Sequence, residues 1–139
     1  MFDPLVREAG WADRLLAVVA HHRAQPFAWG QYDCATLFAE AVQAVTGCHV
    51  LAAYMPYDSE RGALEMLASS GQRHMLDWCR YRFPEIPVSM ARRGDLVFPE
   101  KIGRLACPAV VLGSDAVSRD EKSWLCMPTG LMITAFKVG

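Results

Sequence analysis

The sequence has 139 residues, of which 53% are hydrophobic. This is enough for one globular domain with a buried core, so residues 1–139 are predicted to be a single domain. The charge is balanced, with 14 basic and 15 acidic residues and a net charge of −1. Nucleic acid is therefore not an expected partner, because phosphate binding depends on an excess of Lys and Arg. No apolar run approaches the ~18 residues of a membrane-spanning helix, so membrane insertion is not expected either.

Five cysteines at wide, irregular spacings indicate neither a zinc site nor a disulfide framework. They are Cys34, Cys48, Cys79, Cys107 and Cys126, and no two of them form a Cys-x-x-Cys pair. The first residues lack the basic and apolar regions of a secretory signal. This predicts folding in a reducing cytoplasm, where disulfides are rare. We expect free thiols, no metal ion and no other cofactor.

Two helices are predicted in the first third of the chain, joined by an aromatic loop. Residues 5–24 have apolar side chains at helical spacing, and Pro26 ends this helix. From Cys34 to Val45 the apolar positions recur every three or four residues, almost around the whole circumference. Such a pattern predicts the most buried helix of the domain.

The second helix carries clear signals at both ends. Asp33 stands at the N-cap position, where a carboxylate accepts from the free N–H groups of the first turn. Gly47 stands where a left-handed residue closes the last turn. Cys34 therefore lies in the first turn, where the positive end of the helix dipole favours a thiolate.

The elements predicted after Gly47 are short. Ser59 can cap a helix that ends at Leu67 or Ala68. Residues 73–83 are predicted to form another short helix, although a strand alternation also fits parts of this segment. Strands are predicted over residues 96–98, 106–112, 123–127 and 131–138, with a polar tip at 118–122 and a hairpin turn at Pro128-Thr129-Gly130. Helices followed by an antiparallel meander predict an α+β fold.

Two sequence motifs resemble those of a known family. They are Trp29-Gly30-x-Tyr32-Asp33-Cys34 and Arg93-Gly94-Asp95-Leu96-Val97. They resemble the aromatic-Asp-Cys nucleophile turn and the Gly-Asp-Leu-Val strand of the NlpC-type cell-wall peptidases. The chain is more closely similar to a small phage-encoded branch of this group, found among the tail genes of long-tailed phages. The resemblance implies a papain-like NlpC-type fold, with N-terminal helices and a buried nucleophile-position helix packed on a small antiparallel sheet. It also implies Cys34 as the nucleophile position and Trp29, Tyr32 and Asp33 as pocket residues.

The resemblance does not extend to the general base. In active members of the family a histidine opens the strand after the Gly-Asp strand, and Cys107 stands at that place here. No histidine follows His74, so a small shift in the alignment does not supply one. A cysteine nucleophile needs a base or a stabilising cation. The resemblance therefore implies a degenerate peptidase. Asp95 is interpreted as a residue that caps or holds a turn, with a catalytic role as the alternative.

Three functions are considered. The preferred one is a structural or assembly component of a phage tail, at the tail tip or baseplate. Such a protein would be made in the bacterial cytoplasm, carried in the virion and bound to other tail proteins. The first alternative is an active cysteine peptidase or amidase that cleaves peptidoglycan peptides during DNA entry. Its substitute base would come from a neighbouring subunit or from His21, His22, His49 or His74. The second alternative is a stand-alone cytosolic thiol enzyme such as an acyltransferase.

Two choices at the level of single residues stay open. Cys34 is either the nucleophile position or a packed core thiol, because it also lies on the apolar stripe of its helix. The segments Tyr54–Tyr57 and Trp78–Phe83 are either a docking surface or part of the core, because aromatic residues, Met and Arg are enriched at interfaces.

Overall fold

The computed structural model describes residues 4–99 and 107–139. Its helices are α1 (Trp11–Ala24), α2 (Cys34–Thr46), α3 (Glu60–Ser69) and α4 (Met75–Arg82). Its strands are β1 (Glu85–Ile86), β2 (Leu96–Phe98), β3 (Ala109–Val111), β4 (Asp115–Arg119), β5 (Trp124–Pro128) and β6 (Thr134–Phe136). Single 3₁₀ turns lie at Ala52–Tyr54, Val88–Met90 and Thr129–Leu131. The α+β class predicted from the sequence is confirmed.

Helix α1 is shorter than predicted. It begins at Trp11 because Gly10 adopts a left-handed conformation with φ of 80°, which a helix cannot include. The preceding residues are held to the end of α2, where the Glu8 N–H donates to the Val45 carbonyl at 2.9 Å. The prediction of a helix over residues 5–10 is therefore wrong.

Helix α2 is built as the sequence predicts. The Asp33 carboxylate accepts from the Thr36 N–H at 2.8 Å, and the Thr36 hydroxyl accepts from the Asp33 N–H at 3.0 Å. Gly47, with φ of 78°, closes the C-terminus. Ten of its 13 residues are buried, more than in any other described helix, so the prediction of the most buried helix is confirmed. It packs against α1 on one side and against β3 and β4 on the other.

The sheet has six antiparallel strands in the order β1-β6-β2-β3-β4-β5. Strands β2 to β5 form a meander, but the last strand does not continue it as predicted. Instead β6 pairs with β2, with Val97 opposite Ala135, so the predicted hairpin at Pro128-Thr129-Gly130 is wrong. All three residues of β6 are buried, and a place between two strands satisfies both of its edges.

Strand β4 was not predicted. The sequence predicts a polar tip at residues 118–122, yet Asp115–Arg119 pairs with β3 and β5. Ser118 and Arg119 are buried despite their polarity. The predicted strand over 106–112 is observed at Ala109–Val111, and Ala106 lies outside the described residues.

The main core lies between the helices and one face of the sheet, and a smaller apolar cluster lies on the opposite face. No helix in the described ranges combines the length and the apolar composition needed to cross a bilayer.

Candidate functional site around Cys34

A tight loop places Cys34 at the start of α2. The Ala28 carbonyl accepts from the N–H groups of Gln31 at 3.1 Å and of Tyr32 at 2.8 Å. Gly30 lies in this loop with φ of 77°, and a Cβ there would lie 1.7 Å from the Tyr57 carbonyl oxygen. Any other residue would push the connector at Tyr57 away from the loop, which explains the glycine of the first motif.

The buried Asp33 carboxylate is committed to holding this loop together. Besides capping α2, it accepts from the Gly30 N–H at 2.8 Å and from the Tyr57 hydroxyl at 2.6 Å. Burial, followed by the nearby charge of Asp33, raises the pKa of Tyr57, so this phenol stays protonated and donates. Tyr57, a candidate docking residue in the sequence, is therefore part of the support for Cys34.

A cavity of about 310 Å³ opens beside Cys34. Its apolar wall consists of Phe27, Trp29, Phe98, Leu125 and Met127. The half-buried Cys34 and the buried Cys107 also line it, although they are 73 residues apart (107 − 34). The structure thus brings together Trp29, Cys34 and Cys107. A cavity of this size accommodates a small molecule or one or two residues of a peptide.

The thiols of Cys34 and Cys107 line one cavity, and no histidine lies there with them. Hydrogen bonding with Cys34 and then burial raise the pKa of Cys107 well above that of an ordinary thiol. Cys107 therefore stays protonated at neutral pH and does not take a proton from Cys34. Asp33 does not serve as the base either, because its oxygens are occupied by the loop and by Tyr57.

None of the four histidines lines this cavity. His22 is fully buried between α1 and α2, with its Nε2 3.1 Å from Glu40 Oε2, and the His21 Nε2 lies 3.3 Å from the Tyr32 hydroxyl. His49 follows the C-terminus of α2, and His74 is the N-cap residue of α4. This chain thus supplies no histidine at the cavity, and all four of its histidines lie within the described residues.

Two predicted pocket residues lie apart from the cavity lining. Tyr32 turns towards α1, where its ring is 5.6 Å from that of His21 and 5.4 Å from that of His22. Asp33 lies beneath the loop as described. Both side chains stabilise the loop on the side that faces away from the cavity.

The residue that the sequence analysis missed is Arg119. It is buried, lines the cavity, and donates to the carbonyl oxygens of His22 at 2.8 Å and of Gln25 at 3.1 Å. Strand periodicity is the signal that could have found it, since Arg119 follows Val117 by two positions and therefore shares its face.

The family model of a domain of unknown function, DUF6950, matches residues 6–138. The chain belongs to the DUF6950 family. No curated protein matches it, and no solved structure does. The match includes the Cys34 loop, Cys107 and Arg119, so the whole site lies inside the DUF6950 domain.

Metal ligands are not grouped in the described part of the DUF6950 domain. Within residues 4–99 and 107–139, no three His, Cys, Asp or Glu side chains are placed to hold one ion. The cavity is instead lined by two thiols, a buried guanidinium, three exposed carboxylates and an apolar wall.

The cysteines of the DUF6950 domain are expected to differ sharply in alkylation. With iodoacetamide at neutral pH, the exposed Cys126 should react first, and Cys34 more slowly from the cavity wall. The buried thiols Cys79 and Cys107 should stay unmodified in the folded protein, because burial raises the pKa of Cys79, and hydrogen bonding with Cys34 followed by burial raises that of Cys107. Peptide mass mapping over time measures each rate. If Cys107 were labelled as fast as Cys126, its thiol would not be buried in the folded protein.

The stability of the domain is expected to fall as the pH rises above about 9, because unfolded thiols and phenols ionise at about 8.5 and 10. Folded Tyr57, Cys79 and Cys107 have raised pKa values and keep their protons. The unfolded state then binds fewer protons than the folded state, so the free energy of unfolding decreases with pH. Urea denaturation at pH 8 and pH 10.5 measures the decrease.

The Tyr57→Phe variant should show a smaller decrease between these two pH values, because it has no phenol at this position that would lose its proton on unfolding. Equal decreases in wild type and Tyr57→Phe would show that the phenol ionises freely in the folded state.

Proposed function

We propose that this DUF6950 domain is a structural or assembly component of a phage tail, at the tail tip or baseplate. Its proposed fold is the papain-like NlpC type, without hydrolase activity. Its proposed partners are other tail and baseplate proteins, and its proposed location is the virion, after synthesis in the bacterial cytoplasm. The proposal that hydrolase activity is absent is carried by one observation. The thiols of Cys34 and Cys107 line one cavity, and no histidine lines it with them.

The order of the elements supports the proposed NlpC-like fold. Cys34 begins a buried helix that packs on the sheet, and Gly94-Asp95 leads directly into β2. Cys107 lies two residues before β3, the strand that pairs with β2. In the NlpC-like interpretation, a neutral thiol takes the place of the catalytic imidazole, and a Cys34 thiolate lacks the base that would form it.

An active cysteine peptidase or amidase that acts on peptidoglycan is the second candidate. One observation favours it, since Cys34 lines an open cavity instead of lying in closed packing. This candidate needs a histidine from a neighbouring subunit, because His21 and His22 are engaged with Tyr32 and Glu40 away from the cavity.

Analysis of purified virions tests the tail assignment. Mass spectrometry of particles banded in a density gradient should detect this chain in a fixed ratio to known tail proteins, and labelled antibodies should decorate the tail end. The host cytosol, from cells that make the protein without producing phage, is the control fraction. Detection only in the cytosol would overturn the assignment and favour a stand-alone thiol enzyme.

A digestion assay on purified peptidoglycan tests the loss of activity. Wild type and Cys34→Ala should both release no peptide fragments above the buffer control. Cys107→His is the informative variant, because it places an imidazole opposite the Cys34 thiol. Turnover by wild type that disappears in Cys34→Ala would overturn the inactive assignment and establish the peptidase.

A further inference from the structure

Arg119 is a buried cation whose charge is not matched by a carboxylate. It is 92% buried (100 − 8), and no Asp or Glu among the described residues lies within ion-pair distance of it. Its Nε is buried and has no hydrogen-bond partner in the described structure. A buried charge is costly unless it is paired, so this residue calls for an explanation.

The end of α1 explains part of this arrangement. Two of the five guanidinium N–H groups donate to the carbonyls of His22 and Gln25, at the C-terminal end of the helix. That end carries about half a negative charge, which offsets the cation only in part. The rings of Phe27 and Trp124, centred 5.7 and 6.0 Å from the guanidinium carbon, add weaker cation–π attraction. The guanidinium of Arg119, which lines the cavity, therefore keeps a residual positive charge.

We propose that this cavity is a binding site for a carboxylate attached to an apolar body, with Arg119 as the residue that holds the carboxylate. Guanidinium groups bind carboxylates through paired N–H donors, and this pairing strengthens where water is excluded. The apolar body lies against Trp29, Phe98 and Leu125, which supply its buried area.

The acidic side chains around the cavity disfavour ligands that carry more than one negative charge. Glu60, Asp120 and Glu121 are exposed and line the same cavity. The backbone N–H groups of Lys122 and Ser123 lower the pKa of Asp120, so this carboxylate is charged at neutral pH. Three acidic side chains around one arginine repel phosphate and other polyanions, and they favour a ligand whose outer part is neutral or positive.

Two sources supply this chemistry, namely a small apolar acid and the C-terminal carboxylate of a peptide. Both place one carboxylate on an apolar body, and they differ in what continues out of the cavity. The inference goes beyond the proposed tail role and is independent of it, since the presence of the chain in virions does not depend on whether the cavity is filled.

Matched acids and amides test the proposal on the whole chain. The probes are 3-phenylpropionate against 3-phenylpropionamide, Ala-Ala-Phe with a free or an amidated C-terminus, and inorganic phosphate. Fluorescence of Trp29, which lines the cavity, and calorimetry report binding. We expect each acid to bind at least tenfold more tightly than its amide, and phosphate to bind least. Tighter binding of the peptide acid than of phenylpropionate would identify chain termini as the source, and the reverse would identify small acids.

Variants then assign the carboxylate to Arg119. Arg119→Gln should abolish the preference for acid over amide, and Arg119→Lys should reduce it, because lysine keeps the charge but loses the planar pair of donors. Arg61→Gln is the matched control, since Arg61 lies on the surface of α3 and should keep the full preference. Should Arg119→Gln fail to fold, the acid and amide comparison in wild type and Arg119→Lys still decides. Equal binding of acid and amide, no binding of either at millimolar concentration, or an unchanged preference in a folded Arg119→Gln would overturn the proposal.

Discussion

Replacing Phe38 with alanine is expected to lower the free energy of unfolding by about 3–5 kcal/mol. Phe38 is fully buried in the middle of α2, and its ring lies 6.2 Å from that of Trp78 on α4. Truncation removes the apolar area that joins these two helices and leaves a cavity that the surrounding side chains fill only in part. Urea denaturation measures the loss.

Gln43→Ala is the matched control for this change, because Gln43 is an exposed residue on the same helix. Its effect should stay within about 0.5 kcal/mol. A loss below about 1 kcal/mol for Phe38→Ala would mean that α2 is not the central helix of the core.

Replacing Asp95 with alanine should be similarly costly, at about 3–5 kcal/mol, because it leaves a buried arginine without its partner. Arg7 Nη2 donates to Asp95 Oδ1 at 2.9 Å, and both side chains of the pair are more than nine-tenths buried. The same carboxylate accepts from the N–H groups of Val138 at 3.0 Å and of Arg92 at 2.9 Å. The change therefore releases both ends of the chain and the turn before β2.

Two further variants separate the charge from the turn. Asp95→Asn keeps an acceptor for part of these hydrogen bonds and should lose less stability than Asp95→Ala. Arg7→Met combined with Asp95→Ala removes the unpaired charge, so the double variant should be less destabilised than the sum of the two single changes. Asp58, exposed on the surface, is the control position. Strict additivity of the two changes would show that the pair is not coupled.

The Gly-Asp motif thus has a structural explanation in this chain. Asp95 was predicted to hold a turn, and its hydrogen bonds with Arg92, Val138 and Arg7 show that it does so. It lies at the entrance to β2, and Val97 of that strand packs on the face of the sheet opposite the main core. An aspartate in this motif is therefore no evidence for catalysis.

The local features of the site could be predicted because neighbouring residues encode them. The Asp33 cap, its exchange of hydrogen bonds with Thr36 and the closing Gly47 all lie within one helix and its two ends. Their geometry depends on φ and ψ preferences and on periodic apolar positions, which a short stretch of sequence carries. The absence of a histidine beyond His74 is likewise a property of the sequence itself.

The partners across the fold could not be predicted in this way. The Tyr57 hydroxyl meets Asp33 from 24 residues away, and Arg119 meets the His22 carbonyl from 97 residues away. The sequence around Arg119 is polar and suggested a surface tip, but β4 lies between β3 and β5 and directs this side chain towards the end of α1. Whether a charge is buried depends on which helices and strands surround it, and the sequence near the charged residue does not indicate this.

The position of the last strand depends on the same kind of distant pairing. The turn chemistry of Pro128-Thr129-Gly130 is that of a hairpin, and local preference alone would pair residues 123–127 with 131–138. The free edge of β2 and the fully buried side chains of β6 outweigh this preference, because pairing there satisfies backbone groups on both sides of β6 and buries Phe136 against Phe98. Strand order is set by the sum of such contacts over the whole domain, and it appears only when the chain is folded.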